Sequence, residues 1–389
     1  MPETFCSPVR RGAMRLLFSF AGGEGHLQPL VPLARAAVVQ GHEVAVTGAP
    51  AIGRVVDAAG LAFLPTPPDV KPQRVPLQPV DIDRERAVVR DAYAGRIAGV
   101  RTAELLRLCA DWRPDVVVRD ETDYGAAIAA ERAGVPHASV LVIAAGGFAP
   151  PELVAEPLNR LRAAHGLPAD AAAMLSRNLV LSPFAPSFRD PADPLPPTAR
   201  SFRSTEAALP PHQRAGGRPL VYVTLGTIFN TESGDLLQRV VSGVRELPVD
   251  VVVTVGWTMD PDELGPQPAN VHVERYIPQS QLLPRCAAVV SHAGSGSVAG
   301  ALEHGVPLVC IPLGADQPLN AARCTALGVG LALDAMALTP DDARAAVSEV
   351  LSEPRYRSAA VLLQAEIAAQ PPPSHAVALL ERLSDRRRV

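Results

Sequence analysis

The sequence predicts an α/β protein made of two doubly wound, Rossmann-like halves. Its 389 residues exceed one ordinary domain and suit two, and 48% hydrophobic residues can fill two cores. Short apolar runs of strand length alternate with helical segments on both sides of residues 183–219, the rhythm of parallel strands with helices on their faces. Residues 183–219 hold many prolines and polar residues without a pattern, which sets the boundary between one half over 1–205 and the next over 206–370.

Taken in order, 14–20 reads as a buried strand, Gly22-Gly23-Glu24-Gly25 as a turn, 26–40 as a helix stopped by Gly41, and Glu43–Thr47 as the next strand. A second unit follows, with strand 116–118, helix Tyr124–Ala133, Gly134 at its C-cap and strand 138–143. Between the units, 64–85 is rich in proline and charge and reads as a long loop with a functional role. Beyond the boundary come strand 220–225, helix Leu236–Val244, strands 250–255 and 287–290, helix 297–303, strand 307–311 and helix 319–327. Pro340 with Asp341-Asp342 opens a helix, because proline suits the first helical position and acidic residues its first turn. Helices near 356–369 and 374–386 finish the chain.

Composition removes several function classes. A formal charge of −4 and only 4% aromatic residues give neither a basic footprint nor a stacking platform for nucleic acid. The basic residues are almost all arginine, with Lys71 the single lysine. Cys6, Cys109, Cys286, Cys310 and Cys324 are odd in number and form no Cys-x-x-Cys pair, so neither a disulfide framework nor a zinc site is expected. Cys310 lies in the apolar run 307–311 and reads as core. No apolar run reaches the roughly 18 residues of a membrane span, and residues 1–13 are not followed by a signal-peptide core, so a cytoplasmic location is expected.

The densest chemical signal is Ser291-His292-Ala293-Gly294-Ser295-Gly296-Ser297, then Gly305-Val306-Pro307, then Asp316-Gln317. Small residues where a strand hands over to a helix let backbone N–H groups approach an anion, and the helix N-terminus favours its charge. Asp316 and Gln317 offer acceptors and donors suited to sugar hydroxyls, although Asp316 also fits an N-cap before Pro318. Counted from His292, Ser297 follows by 5 residues, Gly305 by 13, Pro307 by 15 and Asp316-Gln317 by 24 and 25. In this register the segment resembles the nucleotide-sugar signature of family 1 glycosyltransferases, which have the two-domain GT-B fold. Tyr276-Ile277-Pro278-Gln279 is similar to the family's aromatic-x-Pro-Gln element. The resemblance is closest to bacterial enzymes that decorate antibiotics of macrolide, enediyne and glycopeptide type.

The resemblance implies roles for individual residues. His292, Gly294, Ser295, Gly296 and Ser297 would hold the diphosphate, with Gly226-Thr227 as a second phosphate turn. Tyr276 would stack on the base, Ile277 would offer its backbone to the base edge, and Gln279 completes the element. Plant members often carry a ribose-binding Glu eight residues after the His; here that position is Gly300, which fits a deoxyribose nucleotide such as TDP. The last helix, within 371–389, would cross back onto the N-terminal domain. No metal or other cofactor is expected; Asp81-Ile82-Asp83 matches the Asp-x-Asp of metal-dependent transferases by letters only.

His26, after three glycines, is the candidate base. A helix N-terminus disfavours imidazolium, and a neutral ring can take a proton from an alcohol. Asp120, just after strand 116–118, is the candidate orienting carboxylate, with Glu121 and Asp123 as neighbours that could substitute and N-capping as a plainer role. The family has His and Asp at the positions of His26 and Asp120. An acceptor pocket is expected from residues 64–96, His137 and the 144–148 segment with Phe148. These readings converge on an inverting transferase that moves a sugar from a TDP-sugar to a hydrophobic natural product, with small-molecule partners only and room for a homodimer. Two alternatives stay open: a UDP-sugar-dependent enzyme, and a non-catalytic auxiliary of another transferase. A Rossmann dehydrogenase fits poorly, because Gln28 stands where the third glycine belongs and Thr47-Gly48 ends the second strand without a carboxylate.

Overall fold

The computed structural model describes residues 12–69, 76–209, 217–226 and 233–385. The first half builds a seven-stranded sheet from β1 (Arg15–Ser19), β2 (Glu43–Thr47), β3 (Ala62–Phe63), β4 (Val116–Asp120), β5 (His137–Val140), β6 (Val180–Ser182) and β7 (Ala199–Ser201), in the order β3-β2-β1-β4-β5-β6-β7. The second half builds a six-stranded sheet from β8 (Leu220–Thr224), β9 (Asp250–Thr254), β10 (Val271–Glu274), β11 (Cys286–Ser291), β12 (Leu308–Cys310) and β13 (Gly330–Ala332), in the order β10-β9-β8-β11-β12-β13. All of these pairings are parallel. Each order reverses once, between β1 and β4 and between β8 and β11, and a crevice opens at the carboxyl ends of strands at such a point.

The expected strands and most helices are present, with informative differences. The helix expected over 26–40 is two: Glu24–Leu27, then Val31–Val39. Pro29 and Pro32 cause the break; neither has an N–H, and Pro32 falls in the first turn of the second helix, where no donor is required. The expected loop 64–85 ends at Asp81, whose carboxylate caps a helix by accepting from Asp83 N and Arg84 N. The Asp-x-Asp letters are thus a helix start. That helix (Ile82–Val88) runs through a π-helical stretch (Val89–Ile97) into Ala98–Trp112. It lies so close to helix Tyr124–Ala133 that a Cβ on Gly125 would come within 2.6 Å of Ala98 O.

Core residues fill both faces of each sheet. The C-terminal helix Pro373–Asp385 does return to the first half, where Ala376, Val377 and Leu380 join Phe18, Val46 and Leu33 in one core. A second core is shared between halves, with Leu141, Phe184 and Phe188 packed among Leu282, Val298 and Ala321. Several hydrogen bonds along this seam join side chains of the second half to main chain of the first: Ser295 Oγ accepts from Ala144 N, Asn320 Oδ1 from Ala145 N, Glu366 Oε1 from Ser187 N, and Arg323 donates to Ser187 O and Phe188 O. Cys109, Cys286, Cys310 and Cys324 are buried free thiols; Cys6 lies outside the described residues. Among the described residues no helix is long and apolar enough to cross a membrane.

Candidate active site

The two reversal points face one cleft, and each carries a histidine. On the first crest, the Gly22-Gly23 turn after β1 leads into the short helix that holds His26, and a Cβ on Gly22 would lie 2.4 Å from its ring. Asp120 ends β4 beside it, fully buried, with Oδ2 3.5 Å from His26 Nδ1. Asp120 is tightly held: Oδ2 accepts from Ala21 N (2.7 Å), and Oδ1 accepts from Thr122 N, Thr122 Oγ1 (2.7 Å) and Asp123 N (2.9 Å). Because the Thr122 hydroxyl donates to Asp120, its oxygen, 3.1 Å from His26 Nδ1, is left to accept from the ring. This assigns the ring proton to Nδ1 and leaves Nε2 as the basic nitrogen.

Electrostatics on this crest differ from the sequence expectation. Burial lowers the His26 pKa, but the Asp120 carboxylate outweighs it, helped by Asp316 and Glu121, and the imidazole titrates above its ordinary value. The short helix does not keep the ring neutral; Asp120 favours the cation. Burial opposes the Asp120 carboxylate in turn, and the His26 partner and hydrogen-bond donors hold it below the usual range.

The neighbouring carboxylates have other work. Asp123 caps helix Tyr124–Ala133 through Ala126 N and pairs with the buried Arg101 at 2.6 Å, while Ser19 donates to it at 2.6 Å. Arg101 also donates to Thr66 Oγ1, so this buried pair is fully bonded beneath the crest. Glu121 Oε1 accepts from Val142 N (2.5 Å) and Ile143 N (2.6 Å) and fixes the loop after β5; burial pushes its carboxyl up to about 7. Tyr93, inside the 64–96 stretch but not singled out by the sequence, comes from the π-helical stretch to lie 6.0 Å and 13° from the His26 ring. Phe148 joins an apolar cluster with Val142, Ile143 and Tyr124, against which Tyr93 and Leu319 of the second half pack.

His137 is a correction. It begins β5, at the sheet edge opposite the carboxyl ends that form the cleft, and is 2% exposed. Its Nε2 lies 3.6 Å from Glu131 and 3.2 Å from Asn178 Nδ2, inside a network with Arg162, Arg177 and Asp170. It cannot line an acceptor pocket. The loop proline before it signalled a strand start, and the side of the sheet on which that start falls is a property of the topology.

The second crest is glycine-lined. His292 directly follows β11, buried against Gly226 and Gly294: a Cβ on either would lie 2.7 Å or 2.4 Å from the imidazole. Gly226 also adopts φ +78°, which favours glycine. Burial alone lowers the His292 pKa, to about 4, so the ring is neutral at physiological pH. Helix Ser295–Glu303 starts at Gly294 with no side-chain cap, leaving the first-turn amides of Ser295, Gly296 and Ser297 without a capping partner. Thr227 lies outside the described residues.

Ser295 is committed elsewhere. Its hydroxyl donates to Asp316 Oδ2 at 2.6 Å and accepts from Ala144 N at 2.8 Å. Asn320, four residues after Asp316 on the same helix, is fully buried and donates to Asp316 Oδ2 (2.8 Å) and Ala293 O (3.0 Å). Burial pushes the Asp316 carboxyl up, with those two hydrogen bonds restraining it. Gln317 starts that helix, and its Oε1 accepts from Leu313 N and Gly314 N, so its carbonyl shapes the loop and only the amide N–H₂ can serve a ligand. Tyr276 follows β10 and stacks on Trp257, which follows β9, at 5.3 Å and 22°. Ile277 packs against the shared core, and Gln279 begins a short helix. A Cβ on Gly300 would lie 3.0 Å from Leu283 and 3.1 Å from Gln279 Oε1.

Among the described residues no group of three or more His, Cys, Asp or Glu is arranged to hold a metal ion. Residues 238–383 match the family model of the erythromycin biosynthesis protein CIII-like C-terminal domain. The chain is 33% identical to 4'-demethylrebeccamycin synthase of Lentzea aerocolonigenes, over 95% of this chain and 99% of that one. It is 27% identical to the 3-alpha-mycarosylerythronolide B desosaminyl transferase of Saccharopolyspora erythraea, over 96% and 99%. The crystal structure of glycosyltransferase VinC in complex with dTDP superposes with a TM-score of 0.74 at 27% identity, covering 96% of this chain and all of that one. Fold, crest geometry and these similarities agree: the chain belongs to the GT-B glycosyltransferases of antibiotic and natural-product biosynthesis.

Proposed function

We propose that the protein is an inverting, metal-independent glycosyltransferase that moves a deoxysugar from a TDP-sugar to a hydroxyl of a hydrophobic natural product. The observation that carries this reading is the pairing of His26 with Asp120 at 3.5 Å on one crest, within the electrostatic reach of Asp316 on the other. The acceptor hydroxyl donates to His26 Nε2, and its oxygen attacks the anomeric carbon from the face opposite the diphosphate. The proton passes to His26, whose cation Asp120 stabilises. The C–O bond to the diphosphate breaks in the same step, so the configuration inverts. Charge gathering on the leaving diphosphate meets the open amides of helix Ser295–Glu303 and the N–H of neutral His292. Asp316 and the Gln317 amide serve the sugar hydroxyls.

Two points favour a deoxyribose nucleotide. No carboxylate stands at Gly300 to take a ribose 2′-hydroxyl, and a similar protein is crystallised with dTDP. The name of the desosaminyl relative supports a deoxysugar. Calorimetric titration with TDP, UDP and NAD tests the reading. Tight TDP, weaker UDP and no NAD binding are expected. UDP binding more tightly than TDP would overturn the donor class, and no binding of either diphosphate would overturn transfer from a nucleotide sugar.

A further inference from the structure

We infer that Glu121, a residue of the acceptor half, is a positioning residue for the donor sugar: it fixes the segment 142–145, against which Ser295 and Asn320 set the Asp316 carboxylate. This rests on the reading above, in which Asp316 touches the sugar.

Four consecutive main-chain amides divide between the halves. Val142 N and Ile143 N donate to Glu121 Oε1 at 2.5 and 2.6 Å. The next two donate across the seam, Ala144 N to Ser295 Oγ at 2.8 Å and Ala145 N to Asn320 Oδ1 at 3.1 Å. All four residues are buried and lie past the last paired residue of β5, so side chains rather than the sheet hold these amides.

The second pair decides how the donor half presents Asp316. Accepting from Ala144 N leaves the single proton of Ser295 Oγ for Asp316 Oδ2, 2.6 Å away. Ala145 N requires the carbonyl of Asn320, so its amide N–H₂ is turned inward, to the same Asp316 oxygen at 2.8 Å and to Ala293 O at 3.0 Å. A segment freed at 142–143 shifts at 144–145, and a slip of about 0.7 Å is enough to take such bonds out of range. Ser295 and Asn320 then lose the acceptor duties that aim their protons at Asp316.

The test is the ratio of two affinities, measured calorimetrically with TDP and with TDP-glucose and TDP-rhamnose. Asp316→Ala should remove the difference between TDP and the better TDP-sugar. Glu121→Asp, one methylene short of the amides, should weaken that TDP-sugar by about fivefold and leave TDP unchanged, a split that general loosening of the fold does not produce. Glu121→Gln keeps a carbonyl for both amides and should restore the affinity, although it removes the charge. Asn320→Ala should weaken the TDP-sugar as well, and adding Glu121→Asp to it should cost nothing further, because both act through one segment. A Glu121→Asp protein with the parent's ratio, a Glu121→Gln protein as weak as Glu121→Asp, or additive losses would overturn the role of Glu121 and leave the donor reading intact. An unchanged ratio in Asp316→Ala would overturn the sugar contact of Asp316 and this inference with it. The Glu121 pair decides the matter even where Asn320→Ala does not fold.

Discussion

The two crests of the cleft use the same fold position for opposite electrostatic purposes. On the first, a histidine follows one central strand and a carboxylate ends the other. The ring is partnered at 3.5 Å, and its affinity for a proton is raised. On the second, a glycine follows one central strand and a histidine follows the other. Burial moves that ring's pKa the other way, down to about 4. Burial alone therefore does not make a histidine a base; it makes a neutral hydrogen-bond donor. The carboxylate converts the buried ring into a proton acceptor, and burial keeps the other ring neutral beside a ligand that brings its own charge.

Removing the partnered ring should have the largest effect. His26→Ala should lower single-turnover transfer by about 10²–10⁴-fold while TDP affinity stays the same, and near-full turnover with an unactivated alcohol would sink the base assignment. Asp120→Asn sharpens the same point through pH. Activity needs the neutral ring, so it is lost as pH falls through the raised His26 pKa; without the carboxylate that pKa drops, and the acid limb should move to lower pH.

A smaller effect is expected from crowding the His292 ring. Gly294 has an ordinary φ of −61°, so Gly294→Ala is not strained by backbone; its Cβ instead lands 2.4 Å from His292 Nε2. Donor affinity should weaken by about tenfold, with the acid limb of turnover unmoved. The smallest effect is an expected flat line. With His292 near 4, its own titration should add no step to nucleotide-sugar binding between about pH 5.5 and 8, read as the difference between the parent and a His292→Asn protein, because His26 and Glu121 titrate in both. A step near pH 6.5 present in the parent and missing from His292→Asn would show that His292 titrates like a solvent-exposed imidazole.

How far the sequence carried these assignments varied with the range of the contacts involved. Both histidines were legible because glycines announced the turns and the strands around them were short and apolar. The orienting role among Asp120, Glu121 and Asp123 was not, since all three sit within four positions and only the register of β4 against β1 decides which reaches His26. Tyr93 was hidden because its helix is charge-rich and contains a π-helical stretch, which breaks the 3.6-residue period. The Asp81 cap could have flagged that helix. Asn320 stood one helical turn after Asp316, a spacing that puts both on one face, but its bond to Ala145 joins residues 175 apart and belongs to tertiary structure alone.

The seam between the halves has a consequence for recombination. Ser295, Asn320, Arg323 and Glu366 grip amides and carbonyls of residues 144–145 and 187–188, groups that any amino acid presents. These bonds read the path of the partner chain, whereas the shared core of Leu141, Phe184 and Phe188 against Leu282, Val298 and Ala321 reads its side chains. Chimeras that graft a donor half from one relative onto an acceptor half from another should therefore dock where both that path and the apolar seam residues are kept.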